Sequence, residues 1–377
     1  MTSSVDGWVE NKGPNPVTGQ PSEDFNAREQ SAFRIAASWD VTDSVTVDYS
    51  YDDTQVDSTP PYYQANGNSA SRLEHTEHLF LGNTPFRYVL PEGEMEQSGH
   101  NLTITAELSD SVSVKSITSY REMDDHVFNN WSDTLTFGTD LAYSTEAFSQ
   151  ELQVFGSTER VNYVAGIYYF TEDGDKVETQ FLGYDSGLDF TPGTPDDFGV
   201  ITLDAMALPL SALPFVPAVF NGGNPVGTNL GFTEFETKLT STAVFGQVTY
   251  QVTDALDVTL GVRYTEDERE ATRAGTNLAF FAGANDLDFD NTDYSFIQNY
   301  ALSEGVTTSA KVATGYRSGG SSERAPNFAQ NFDPEEVTSY ELGLKAEWLD
   351  NRLRVNAAVF RTELDDAINT IGGTGSQ

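Results

Sequence analysis

The chain has 377 residues, with 58 Asp and Glu against 20 Lys and Arg, a formal net charge of -38 at pH 7. That balance repels a phosphate backbone and excludes nucleic acid as a partner. The lack of any Cys excludes a disulfide framework and every thiolate zinc site, and no apolar run of about 18 residues offers a membrane-spanning helix.

In chain order, the first clear element places Ile35, Ala37, Trp39 and Val41 on one face and Arg34, Ser38 and Asp40 on the other. After the turn Val41-Thr42-Asp43-Ser44, Val45, Val47, Tyr49 and Tyr51 alternate with Thr46, Asp48, Ser50 and Asp52. Leu102, Ile104, Ala106 and Leu108 repeat the alternation up to the turn Leu108-Ser109-Asp110-Ser111. The turn Gly156-Ser157-Thr158-Glu159 precedes Val161, Tyr163, Ala165, Ile167 and Tyr169. Val252-Thr253-Asp254-Ala255 leads into Val258, Leu260, Val262 and Tyr264, and a further turn follows at Leu302-Ser303-Glu304-Gly305. Last, Leu342, Leu344, Ala346 and Trp348 pass through Leu349-Asp350-Asn351-Arg352 into Leu353, Val355, Ala357 and Val359, with Lys345, Glu347, Arg354 and Asn356 on the opposite face.

A period of two with about ten residues per strand suits a tilted strand crossing the ~25 Å apolar band of a membrane barrel. A one-residue slip would exchange the faces, so repeated agreement specifies the register. The tight turns alternate with long connections near 57–98, 127–142, 182–232, 272–292 and 319–335. Short turns on the periplasmic rim and long loops outside are the signature of a transmembrane β-barrel. The pattern predicts an all-β, antiparallel, up-and-down transmembrane β-barrel of about twelve strands in six hairpins, occupying residues 1–377. Its apolar face meets outer-membrane lipid and its polar face lines a lumen.

Several segments invite a chemical reading. Glu74-His75-Thr76-Glu77-His78 sets two His between carboxylates, but in a polar loop with nothing to fix a metal geometry. Asp286, Asp288 and Asp290 alternate as in a calcium loop, yet Asn291 stands where the turn Gly belongs and Ile297 where the bidentate Glu belongs. Neither is read as a metal site. The apolar stretch Leu208–Phe220 is broken by Pro209, Pro214 and Pro217 and reads as a packed loop cluster, or as a lid over an apolar ligand. Gly222-Gly223 and Gly319-Gly320 lack the Lys and helix start of a phosphate loop. The four His, at 75, 78, 100 and 126, all read as lying outside strand cores. No catalytic set emerges, so no enzyme, cofactor or metal is expected, and ligand-binding residues are not identified.

The segment Lys311-Val312-Ala313-Thr314-Gly315-Tyr316-Arg317-Ser318-Gly319-Gly320 resembles the strand end and loop entry of TonB-dependent outer-membrane receptors. Phe332-Asp333-Pro334-Glu335-Glu336-Val337, Ser339-Tyr340-Glu341-Leu342-Gly343-Leu344-Lys345 and Trp348–Asn356 continue the likeness. So do Phe148–Gln153, Tyr163–Phe170 and Asp6–Asn11, the last resembling the end of an early barrel strand at Trp8. The resemblance implies an N-terminal plug inside a barrel of about 22 strands, gripped by the energy-transducing TonB complex. It implies uptake of a scarce extracellular ligand (siderophore–iron, haem, cobalamin or an oligosaccharide) across the outer membrane of a Gram-negative bacterium. A passive porin-like channel is the alternative. Met1-Thr2-Ser3-Ser4-Val5-Asp6 is unlike a signal peptide and Gly372–Gln377 reads as a loop. The expectation is therefore a partial barrel, without plug or closing strands, whose two edges leave an open arc.

Overall fold

The computed structural model describes residues 2–9, 24–61, 80–81, 84–85, 93–130, 137–182, 228–275, 282–323, 328, 331–350 and 352–368. Every regular element among them is a strand. The first are β1 (Thr2–Val5), β2 (Arg28–Thr42), β3 (Val45–Ser58), β4 (Phe80–Leu81), β5 (Thr84–Pro85), β6 (Gly93–Ser109), β7 (Val112–Asn130) and β8 (Phe137–Ser157). Then follow β9 (Val161–Leu182), β10 (Thr228–Thr253), β11 (Leu256–Gly275), β12 (Gly283–Ser303), β13 (Val306–Arg317), β14 (Gly320–Ser321), β15 (Asn331–Phe332), β16 (Glu335–Trp348) and β17 (Leu353–Asp365). Thirteen of them form one antiparallel sheet in the order β1-β2-β3-β6-β7-β8-β9-β10-β11-β12-β13-β16-β17, while β4-β5 and β14-β15 are small separate ribbons. Neighbours in sequence are neighbours in space, so the topology is up-and-down. The two edges, β1 and β17, do not pair with each other, and the wall is an open arc.

All six tight turns join hairpins of this sheet and share one rim. Four carry the same irregularity, a register shift at Asp40/Thr42, Glu107/Ser109, Gln251/Thr253 and Ala301/Ser303. In three of these the hydroxyl accepts from the backbone two residues on, as Thr42 does from Ser44 (3.3 Å), Ser109 from Ser111 (3.4 Å) and Thr253 from Ala255 (3.2 Å), the local bond that favours Ser and Thr in turns. Gly305 supplies a left-handed residue (φ 76°), and a Cβ there would meet the Glu347 carbonyl at 2.8 Å. Neighbouring hairpins are tied along the rim by bonds such as Glu107 N–H to Ser44 O (2.8 Å) and Ala301 N–H to Ala255 O (2.8 Å).

The register carries the predicted faces intact across the wall. Trp39, Val47, Ile104, Ser116, Leu152, Ile167, Val244, Tyr264, Thr292 and their two-residue neighbours lie on one face, here the outer. In the last hairpin Leu342, Leu344 and Ala346 stand opposite Val359, Ala357 and Val355, and Lys345 and Glu347 stand opposite Asn356 and Arg354 on the inner face. Aromatic rings bound the apolar band above (Tyr51, Tyr120, Phe148, Tyr169, Tyr264) and below (Trp39, Tyr163, Tyr250, Tyr300, Trp348), as expected of barrel girdles.

The strands differ from the sequence expectation chiefly in length. They run to 19 residues in β7, 21 in β8, 22 in β9 and 26 in β10, not about ten. The segments 127–142 and 272–292, read as loops, are mostly strand. Above the membrane both faces meet water, so the apolar alternation that marks a crossing strand is lost although the backbone ladder continues. The first strand ends at Val5 rather than at Trp8, which lies in a bend. His100 and His126, read as lying outside strand cores, are strand residues of β6 and β7. The His100 ring packs 4.7 Å from Tyr51 in the upper girdle, and its Nδ1 lies 2.8 Å from the Tyr49 hydroxyl.

Candidate functional site

The long strands above the membrane carry the side chains of the outer mouth into register across the inner face. One row runs Asp125, Tyr143, Lys176, Phe235, Arg273 and Gly283, one residue from each of β7 to β12. Two residues deeper lie Gly174, Thr237, Ala271 and Asn285, then Glu172, Leu239, Arg269 and Leu287, then Phe170, Ser241, Asp267 and Phe289. Deeper still, the Arg263 guanidinium lies 5.3 Å from the Tyr168 ring centroid and 5.9 Å from that of Phe245, a cation–π arrangement.

The described residues between β13 and β16 (318–323, 328 and 331–334) contact these rows. Asp267 accepts the Tyr316 hydroxyl, Arg269 Nε donates to Ser318 Oγ at 2.8 Å, and Gly320 and Ser321 pair with Phe332 and Asn331. Asn285 Nδ2 donates to Ser321 Oγ (2.9 Å) and to the Phe328 carbonyl (2.7 Å). Phe328, 2% exposed, meets Phe235 edge-on at 5.6 Å, and the Arg273 guanidinium lies 4.8 Å from its ring centroid. Gly283 admits it, since a Cβ there would come within 3.0 Å of the Phe328 Cβ. Lys176 Nζ lies 2.8 and 3.0 Å from the two Glu323 carboxylate oxygens and 3.4 Å from Glu178, and Arg273 donates to the Glu323 carbonyl at 2.7 Å.

Burial shapes the protonation of this mouth. It lifts the Tyr143 phenol above its ordinary value, with Glu172 and Glu323 adding to the effect. Burial lowers Arg273 and raises Asp125, the latter against the pull of His126. The Tyr316 phenol is raised by burial and then by its hydrogen bond to Asp267. The buried Arg273 and largely buried Lys176, with the Tyr143 phenol and the Phe235 and Phe328 rings beside them, suit an anion with flat, polarisable groups.

Of the segments singled out in the sequence, Glu74–His78 and Leu208–Phe220 lie outside the described residues. Asp286, Asp288 and Asp290 sit in strand β12, not in a loop, and all three point to the outer face opposite Glu270, Glu268 and Glu266. Successive same-face residues of a strand are about 7 Å apart, so they do not converge on one ion. The sequence reading missed Lys176, Phe235, Arg273, Glu323 and Phe328. One signal was available. Positive charge is rare in this chain, 20 Lys and Arg against 58 acids, and Lys176 and Arg273 fall in the outer parts of their strands.

The sequence model described as TonB dependent receptor-like, beta-barrel matches residues 11–377. The probable TonB-dependent siderophore receptor PiuA of Acinetobacter baumannii is 30% identical over 136 residues, covering 34% of this chain and 18% of that protein. The ferric yersiniabactin uptake receptor FyuA of Yersinia pestis superposes with a TM-score of 0.69 at 16% identity, over 97% of this chain and 49% of that one. The crystal structure of the siderophore receptor PiuA from Acinetobacter baumannii gives 0.61 at 17% identity, over 93% of this chain and 51% of that one. The chain thus spans about half the length of these solved structures. With the girdled outer face, the rim of tight turns and the match over nearly the whole sequence, the chain belongs to the TonB-dependent receptor β-barrel family of the Gram-negative outer membrane.

Proposed function

We propose that this chain is wall and outer mouth of a receptor that captures a scarce ferric-siderophore-type chelate and imports it by energy-coupled transport through a TonB complex. The observation that carries this reading is the inner-face row in which Lys176 and Arg273 flank Phe235 at the outer mouth. A chelate with carboxylate or phenolate oxygens and flat rings finds charge and stacking partners there together. Named relatives add support, since FyuA and PiuA are described as ferric yersiniabactin and siderophore receptors. The protein acts by binding and release, with no catalytic role. Uptake of ⁵⁵Fe-labelled siderophores by cells carrying the whole gene tests the reading. Accumulation that a protonophore or loss of TonB abolishes is the expected result. Uptake that persists without energy identifies a passive channel and refutes it.

A further inference from the structure

We infer that Glu323 is an internal stand-in for the anionic ligand, latching residues 318–323 across the mouth until an external oxyanion displaces its carboxylate from Lys176. The ligand class rests on the function proposed above; the latch itself does not. Glu323 holds both cations of the row at once, Lys176 through its carboxylate at 2.8 and 3.0 Å and Arg273 through its carbonyl at 2.7 Å. Lys176 also has Glu178 of its own strand at 3.4 Å, so the loop carboxylate is a second acid on one ammonium.

The loop's contacts differ in how easily they exchange. Phe328 is 2% exposed and wedged against Phe235 and Gly283, a packed contact that no solute replaces. The Glu323 side chain is 36% exposed while its partner Lys176 is 15% exposed. A screened, half-exposed carboxylate on a largely buried ammonium is the contact an incoming oxyanion can take over, because the newcomer satisfies the same desolvated charge. Freed of it, residues 318–323 keep Ser318 on Arg269 and the Glu323 carbonyl on Arg273 but lose the carboxylate contact that spans to β9.

The test uses the whole receptor in outer-membrane vesicles, spin-labelled at Ser322 on the loop and Thr145 on the inner face of β8, with citrate as the oxyanion probe. Without probe, one narrow distance distribution is expected. Citrate broadens and lengthens it, and chloride at equal ionic strength does not. Glu323→Gln without probe reproduces the citrate state, and Lys176→Gln removes the same pair from the wall side should the first variant fail to insert. A distribution that stays narrow in both variants, or that responds to citrate only as it does to chloride, overturns the latch. Citrate release in a receptor that imports no siderophore supports the latch while refuting the proposed cargo.

Discussion

Leu260 lies on the outer face of β11, midway between Leu256 and the girdle residue Tyr264, with Val248 and Phe296 as its cross-strand neighbours. Its side chain is half exposed on a sheet one layer thick, so its environment is lipid. Replacing it by Arg places a guanidinium at the centre of the apolar band, which costs about 2–4 kcal/mol in barrels of this kind. At about 1.4 kcal/mol per factor of ten, that is roughly a 30- to 700-fold loss in the folded-to-unfolded ratio. Gln247→Arg is the matched control. Gln247 faces inward at nearly the same height, exposed, with Gly261 opposite on one side and Val164 on the other. Its longer side chain enters water, and the expected change is within about 0.5 kcal/mol. Urea unfolding of the whole receptor from phospholipid vesicles reads both. Equal midpoints for the two variants would refute the assignment of faces.

Gly305→Ala forces a left-handed Cβ against the Glu347 carbonyl and should cost about 1–2 kcal/mol in the same titration. Phe328→Ala should speed amide exchange of residues 318–323 with no change in the β9–β11 ladder, measured by hydrogen-exchange mass spectrometry. The Tyr316 phenol is raised in the folded state, so its contribution to stability is full below the unfolded value of about 10 and is lost as pH rises through the folded one. Ultraviolet titration of Tyr316→Phe should accordingly lack one late-ionising phenol present in the parent. Arg121 reaches Asp52 across Gly99 at 3.2 Å with both side chains partly exposed, and Arg121→Leu should cost less than about 1 kcal/mol in urea.

The membrane part of this fold is legible because one face must be apolar. Trp39, Ile167 or Leu342 on the wrong face would be exposed to the lumen, so the pattern of two survives and fixes register, turn and rim. The extramembrane part is not legible in that way. Residues 265–275 alternate acids with small and polar residues, the apolar residues of 283–293 are only Leu287 and Phe289 among acids and small side chains, and nothing in Glu266-Asp267-Glu268 tells a reader that Asp267 is buried under Tyr316 while its neighbours face outward. The mouth is further hidden because its row is assembled from β7 to β12, from Asp125 to Gly283 in the chain. Only the register accumulated through every hairpin brings Lys176, Phe235 and Arg273 abreast. Glu323 reaches them through a loop whose length alone gives no address.

The acids on the outer face of β11 and β12 have a thermodynamic consequence. Glu266, Glu268 and Glu270 stand directly opposite Asp290, Asp288 and Asp286, and like charges facing each other across a ladder oppose its formation. The strands are about 5 Å apart, well within the roughly 8 Å over which physiological salt screens charge. Above the bilayer the backbone bonds of this stretch therefore work against its acidic outer face, relieved on the β10 side only where Lys238 stands opposite Glu270. Low ionic strength should weaken this stretch of ladder and added salt strengthen it, read by hydrogen exchange of residues 266–270 at the two salt concentrations. The same sequence thus has a stiffer mouth in a salt-rich habitat than in a dilute one.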